Sequence, residues 1–300
     1  MKFVDAFRAQ YFLSSLEAEI ARAEKALLKF TCFSTTLLQI LQDFSSTVAI
    51  ELDQLLLPTI VLELNRAKEK GVLTGNTPTE RYANFFIGSK GYTNHARLIL
   101  DHYPFLFELI DSLIRQSFDA LIVSLQRYRE NQGELIRWLN LPPDIKIEHI
   151  RPLAGADRHC CKQPLLFFFS NGSKVIYKPI DLRSDILFTE FIHHLDLEEP
   201  FDLKTQDILP KKGYGWIRYI EHESCMHPWE IENFYQRVGV LLSIAETLNY
   251  TDGHCENLIA NGAFPILIDG ETFFQNYEQS VIDDKTILTT LLVQKMNLSR

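Results

Sequence analysis

The chain has 300 residues, a formal net charge of −9, 46% hydrophobic and 23% charged residues. That length suffices for two domains or one large one with a substantial core. The acidic balance argues against a nucleic-acid binder, which carries a basic face, and no apolar run reaches the length of a membrane span. The N-terminus MKFVDAFRAQ lacks the apolar core of a signal peptide. The five cysteines show no C-x-x-C pair, so the expected compartment is the cytoplasm.

The first half reads as helical. Leu13, Leu16, Ile20, Ala23, Leu27 and Phe30 recur at three- and four-residue steps, the apolar stripe of an amphipathic helix. A second helix is expected over about Phe33 to Leu57, and a third after Pro58, stopped by Gly71. Thr77-Pro78-Thr79-Glu80 has the form of a capping box with proline in the first turn. One or two further helices are expected over Tyr103 to Leu139, ended by Asn140-Leu141-Pro142-Pro143. These residues, 1–143, form the expected helical N-terminal region.

From Ile145 the period becomes that of short strands. Pro164 to Phe169 is an apolar strand, Asn171-Gly172 a two-residue hairpin turn, and Lys174 to Lys178 the return strand. Lys178 stands where a kinase carries its phosphate-holding lysine. Ser184-Asp185 starts a helix with Leu187, Glu190, Phe191 and His194 on one face, and a glutamate in an apolar stripe calls for a partner. A Lys178–Glu190 pair is therefore expected, as a kinase site requires; the alternative is that Glu190 sits at the edge of the stripe and reaches water. Asp157 and His159 fall between the first two strands, at the place of a phosphate loop. They are candidates to orient phosphate or substrate, although G-x-G-x-x-G is absent and a plain turn is an equal reading. After the strand Gly213 to Ile220, the segment Glu221-His222-Glu223 stands where a hinge would meet adenine. Residues 144–222 make up an expected N-lobe.

Residues 223–300 make up an expected, incomplete C-lobe. Pro228 opens a helix with Ile231, Phe234, Val238, Leu241, Ala245 and Leu248 on one face. It delivers TDGHCENLIANGAFPILIDGE, a polar loop, two short strands and an acidic loop. Asp252 and Asn257 have the D-x-x-x-x-N spacing of a kinase catalytic loop, and Asp269 and Glu271 follow the second strand. Such a set serves phosphoryl transfer: one aspartate orients or deprotonates a hydroxyl, while an asparagine and a second aspartate hold magnesium. A β-hairpin with solvated acidic ends is the plainer reading of this stretch taken alone. The order of elements along the chain favours the kinase reading.

VIYKP at 175–179, GYGWIRYIEH at 213–222, TDGHCENLIA at 251–260 and PILIDGE at 265–271 resemble the dehydratase domain of LanM-type (class II) lanthipeptide synthetases. GADRH at 155–159 and VLELNRAKEKGVLTGNTPTERYANF at 61–85 are similar to it as well. The resemblance implies an α+β chain: a helical N-terminal region followed by a lipid-kinase-like two-lobed fold. It implies ATP- and Mg2+-dependent phosphorylation of Ser and Thr in a ribosomal precursor peptide, then phosphate elimination. By position, Lys178 would hold ATP phosphates, and Asp252 with His254 would act on the substrate hydroxyl. Asn257, Asp269 and Glu271 would serve the metal, and Asp157 and His159 would lie near the phosphates. Members of that family are much longer. The sequence therefore reads as a fragment or a truncated gene product lacking the elimination residues and the zinc-dependent cyclase, one expected either to bind nucleotide weakly or to need a partner chain that carries the remainder. Phosphorylation without elimination is the expected outcome for this chain alone. An aminoglycoside-type small-molecule kinase and a non-catalytic, pseudokinase-like peptide binder are the competing readings.

Overall fold

The computed structural model describes residues 12–87, 102–153, 163–198 and 201–273. The chain divides into two compact units, Met1–Ser173 and Lys174–Arg300. Helices and antiparallel strands occur in both, which bears out the α+β expectation in its broad form. Among the described residues no helix is long and apolar enough to cross a membrane.

The first unit contains α1 (Leu13–Leu27), α2 (Leu37–Glu69), α3 (Pro78–Ile87) and α4 (Pro104–Leu139), then β1 (Ile147–Pro152) and β2 (Leu165–Phe169). α1 buries Leu16, Ala23 and Leu27 of the expected stripe, while Leu13 is exposed. The break expected at Pro58 does not occur, because α2 runs through it. Proline forfeits one amide donor and crowds the carbonyl four residues back. Burial of Leu52 and Leu56 before it, and of Ile60 and Ala67 after it, keeps one continuous face seated. The helix ends where expected. Gly71 adopts φ +67°, its N–H donates to Lys68 O, and the Val72 N–H donates to Ala67 O, the paired bonds of a Schellman stop.

The α3 capping box forms as read: the Glu80 N–H donates to Thr77 Oγ1 at 3.1 Å and the Thr77 N–H to Glu80 Oε2 at 3.3 Å. α4 is a single helix closed by Asn140 in the left-handed region. Phe118 meets Phe44 edge-on, and Tyr128 stacks on Phe167 of β2, so helices and strand pair share one core.

Glu63 is a buried carboxylate in that helical half. It accepts from Tyr103 Oη at 2.8 Å and from Arg66 Nη1 at 2.6 Å. Burial pushes its pKa up, but the Tyr103 and Arg66 hydrogen bonds outweigh this and leave it below the usual glutamate value. Glu63→Gln is therefore expected to cost about 1 kcal/mol of stability at neutral pH. A depressed folded-state pKa gives stability present above the unfolded-state value and lost as pH falls through the folded-state one. Urea unfolding across this range should show the gap between the two proteins closing in acid. A gap independent of pH would show that the charge contributes nothing.

The second unit contains β3 (Lys174–Lys178), α5 (Arg183–Glu198), β4 (Ile208–Lys211), β5 (Tyr214–Arg218), α6 (Pro228–Thr247), β6 (Leu258–Asn261) and β7 (Phe264–Leu267). β5 lies between β3 and β4, antiparallel to both, with Lys178 opposite Gly215. An added Cβ at 215 would lie 2.4 Å from Leu182 Cδ1 and 3.3 Å from the Leu209 carbonyl, so Leu182 would have to shift. β6 and β7 form a separate hairpin turned at Gly262, with φ +58°. A second apolar cluster, with Phe188, Ile192, Leu241, Ala245, Tyr250, Leu267 and Phe273, joins α5, α6 and β7. On α6 the expected face is buried only toward its C-terminal end, at Leu241 and Ala245, whereas Ile231 is exposed.

Candidate active site

The site is built on the end of α6, the β6–β7 hairpin and the turn Gly270–Thr272 that follows it. Tyr250 fixes their mutual placement. It is fully buried, its ring stacks on Phe273 at 4.1 Å, and Phe273 stacks in turn on Phe188 of α5 at 4.1 Å. Its hydroxyl reaches the Asp252 carbonyl at 3.0 Å and those of Ile268 and Asp269 at 3.4 Å. One phenol thus ties the 252 loop to the strand end that carries Asp269. Burial, followed by the Asp252, Asp269 and Asp185 carboxylates, pushes its pKa far up, so it remains a proton donor.

Asp252, His254 and Asn257 come together as the spacing suggested. Asn257 is buried, and its Nδ2 donates to Asp252 Oδ2 at 2.9 Å and to the Asp252 carbonyl at 3.0 Å. With its amide nitrogen so used, its side-chain oxygen is the end left for another ligand. Its backbone carbonyl accepts the Ile268 N–H at 2.9 Å, which fixes the catalytic-type loop beside Asp269. His254 Nδ1 accepts the Glu256 N–H at 3.2 Å. Its Nε2 lies 3.4 Å from Asp252 Oδ1 and 3.3 Å from Asn257 Nδ2.

Asp269 has φ +63° and ψ +72°, a left-handed conformation uncommon outside glycine and of a kind that concentrates at functional sites. Its Oδ1 accepts from Lys178 Nζ at 2.8 Å. Lys178 is buried at the end of β3. Desolvation works against its charge, but Asp185, Asp269 and Glu271 more than offset this and hold its pKa above the ordinary value. Glu271 lies in the turn after Asp269.

The expected Lys178–Glu190 pair is not made. Glu190 faces solvent on α5, whose buried face carries Phe188 and Ile192 instead. The acidic residue of α5 that lies near Lys178 is Asp185, 2% exposed in the first turn. Its Oδ1 accepts the Gly270 N–H at 2.9 Å and Gln206 Nε2 at 3.2 Å. Sequence reasoning took Asp185 only for a helix start and passed over Tyr250. The one available signal was their position, seven residues after Lys178 and directly before the T-D-G-H stretch. Glu221 is exposed, and its carboxylate accepts from Lys174 Nζ at 2.6 Å. The neighbouring Glu223 exchanges backbone hydrogen bonds with Ala260 and Gly262 of the β6–β7 hairpin. Asp157 and His159 lie outside the described residues.

Among the described residues no three His, Cys, Asp or Glu side chains gather as a metal cluster. Asn257, Asp269 and Glu271 offer hard oxygen donors, the set that suits magnesium rather than zinc or copper. Their chemistry therefore fits that ion, with Asp269 held meanwhile by Lys178.

Tyr250→Phe should keep the ring stack and lose the tether. We expect unfolding free energy to fall by about 1 kcal/mol, with faster amide exchange at Ile268. Unchanged exchange there would mean that the hydroxyl does not hold the two segments together.

The family described as "Domain of unknown function (DUF4135)" matches residues 103–297. The Lacticin 481/lactococcin biosynthesis protein LcnDR2 of Lactococcus lactis subsp. lactis is 31% identical over 225 residues, which is 72% of this chain and 24% of that protein. The chain thus spans about a quarter of the length of that curated relative.

Proposed function

The chain belongs to the DUF4135 family, a domain found in LanM-type lanthipeptide synthetases, and from that premise we propose that it phosphorylates Ser and Thr side chains of a ribosomally made precursor peptide with ATP. That the relative is a lacticin 481/lactococcin biosynthesis protein supports a peptide substrate. The observation that carries the reading is the double link through Asn257. Its side chain holds Asp252 at 2.9 Å, and its backbone carbonyl holds the Ile268 N–H beside Asp269, which in turn holds Lys178.

On this reading the peptide hydroxyl attacks the γ-phosphorus of ATP, ADP leaves, and Asp252 takes the hydroxyl proton. His254, with its Nε2 toward Asp252, orients that carboxylate. Lys178 pairs with the nucleotide's phosphates. Asn257, Asp269 and Glu271 would hold Mg2+, which when bound neutralises phosphate charge. The two-lobed kinase-like arrangement, with a hinge at Glu221, belongs to the same proposal, as does a cytoplasmic setting. So does a further polypeptide segment or chain that carries phosphate elimination.

Calorimetry of ATP binding with and without Mg2+ tests the reading. Binding should require Mg2+ and disappear in Asp269→Ala. Asp252→Asn should retain binding while phosphopeptide formation falls by about 10²–10⁴-fold. Mg2+-independent binding that survives Asp269→Ala would sink the proposal.

A further inference from the structure

Asp185 has no role in the reaction just described, yet it is the most deeply buried acidic side chain of the second unit's described residues. Its Oδ1 accepts two hydrogen bonds, from Gly270 and Gln206. Its Oδ2 is equally buried and accepts none. A buried carboxylate oxygen without a donor is costly, and its persistence calls for a donor that arrives in another state of the protein.

The cation in position to do so is Lys178. Its ammonium sits on Asp269, and the next residue, Gly270, donates its N–H to Asp185. The contact is close enough that a Cβ at 270 would lie 3.2 Å from Asp185 Oδ1. Asp185 also leads the carboxylates that favour the Lys178 charge. A buried carboxylate, Asp185, and a part-buried one, Asp269, therefore share one ammonium, and only Asp269 holds it within ion-pair distance.

Building on the phosphoryl-transfer reading, we propose that Asp185 is a positioning residue whose open Oδ2 receives the Lys178 ammonium when Asp269 turns to a divalent cation. A divalent cation taken up by Asp269 would compete with the ammonium for that carboxylate. An ammonium displaced into a buried site without a counter-charge would be strongly disfavoured, so the exchange needs a second carboxylate. Asp185 supplies it from the same helix on which a glutamate partner was expected, one and a half turns earlier than Glu190. The handover leaves Lys178 beside Asp269 but no longer on it, free to meet a phosphate.

The test uses Mn2+ alone as the probe, titrated into the full chain and followed by water-proton relaxation. Asp185→Asn keeps an oxygen for the Gly270 N–H and removes the charge. It should weaken Mn2+ binding by about tenfold or more, the size of effect seen for groups that orient metal ligands. In a Lys178→Met background Asp269 is already released, so adding Asp185→Asn should change Mn2+ affinity by less than about twofold. An equal loss in both backgrounds would show that Asp185 acts through the fold and would overturn the proposal, as would no loss in either. Should Asp185→Asn not fold, a crystal structure of the unaltered chain with Mn2+ decides. Lys178 Nζ within hydrogen-bond distance of Asp185 Oδ2 supports the handover, and Lys178 still on Asp269 refutes it. If the unaltered chain binds no Mn2+ at all, the phosphoryl-transfer reading fails first and the handover falls with it.

Discussion

The Lys178–Asp269 ion pair, at 2.8 Å with its lysine buried and its aspartate half-buried, joins the end of β3 to the turn after β7. A buried pair gains little net stability, since desolvation of both ions offsets their attraction, but removing one partner strands the other. Its effect is thus on arrangement more than on stability. It requires Asp269 to leave β7 in the left-handed conformation that aims its carboxylate at the lysine. That strain is over-determined by neighbours: the Gly270 N–H is held by Asp185, and the Asp269 carbonyl lies within reach of Tyr250.

The aromatic stack beneath carries the same load from the other side. Phe188, Phe273 and Tyr250 lie ring on ring, so α5, the turn after Asp269 and the end of α6 are positioned by one apolar column. The polar top of that column is the Tyr250 hydroxyl, and the catalytic-type loop hangs from it. Apolar burial fixes the distance between elements, and the hydrogen bonds from Tyr250 and Asn257 then fix the register of the loops within that frame.

Local signals were legible in the sequence wherever one residue type solves a local problem. Gly71 and Asn140 end helices because each can adopt positive φ, and Thr77 with Glu80 closes a capping box. The D-x-H-x-x-N spacing was legible because its contacts span five residues. Contacts set by packing were not. Nothing near Pro58 in sequence shows that the face on both of its sides is buried against other elements. The choice between Asp185 and Glu190 as neighbour of Lys178 depends on which side of α5 is buried, and Phe188 and Ile192 bury the side away from Glu190. Glu190 looked apolar-faced only because Leu187, which shares its side, is itself exposed.

The balance of charge around Tyr250 explains why this arrangement suits an incoming cation under the proposed reaction. Asp185, Asp252 and Asp269 all act on the Tyr250 hydroxyl, and Asp185, Asp269 and Glu271 all act on Lys178. One ammonium therefore answers for several carboxylates. In that state the carboxylates are held apart by hydrogen bonds to neutral donors: Asn257 for Asp252, and the Gly270 amide with Gln206 for Asp185. Neutral donors stabilise each carboxylate without cancelling its charge. Under the proposed reaction, an ammonium displaced from Asp269 would have Asp185 as a second carboxylate within the same cluster.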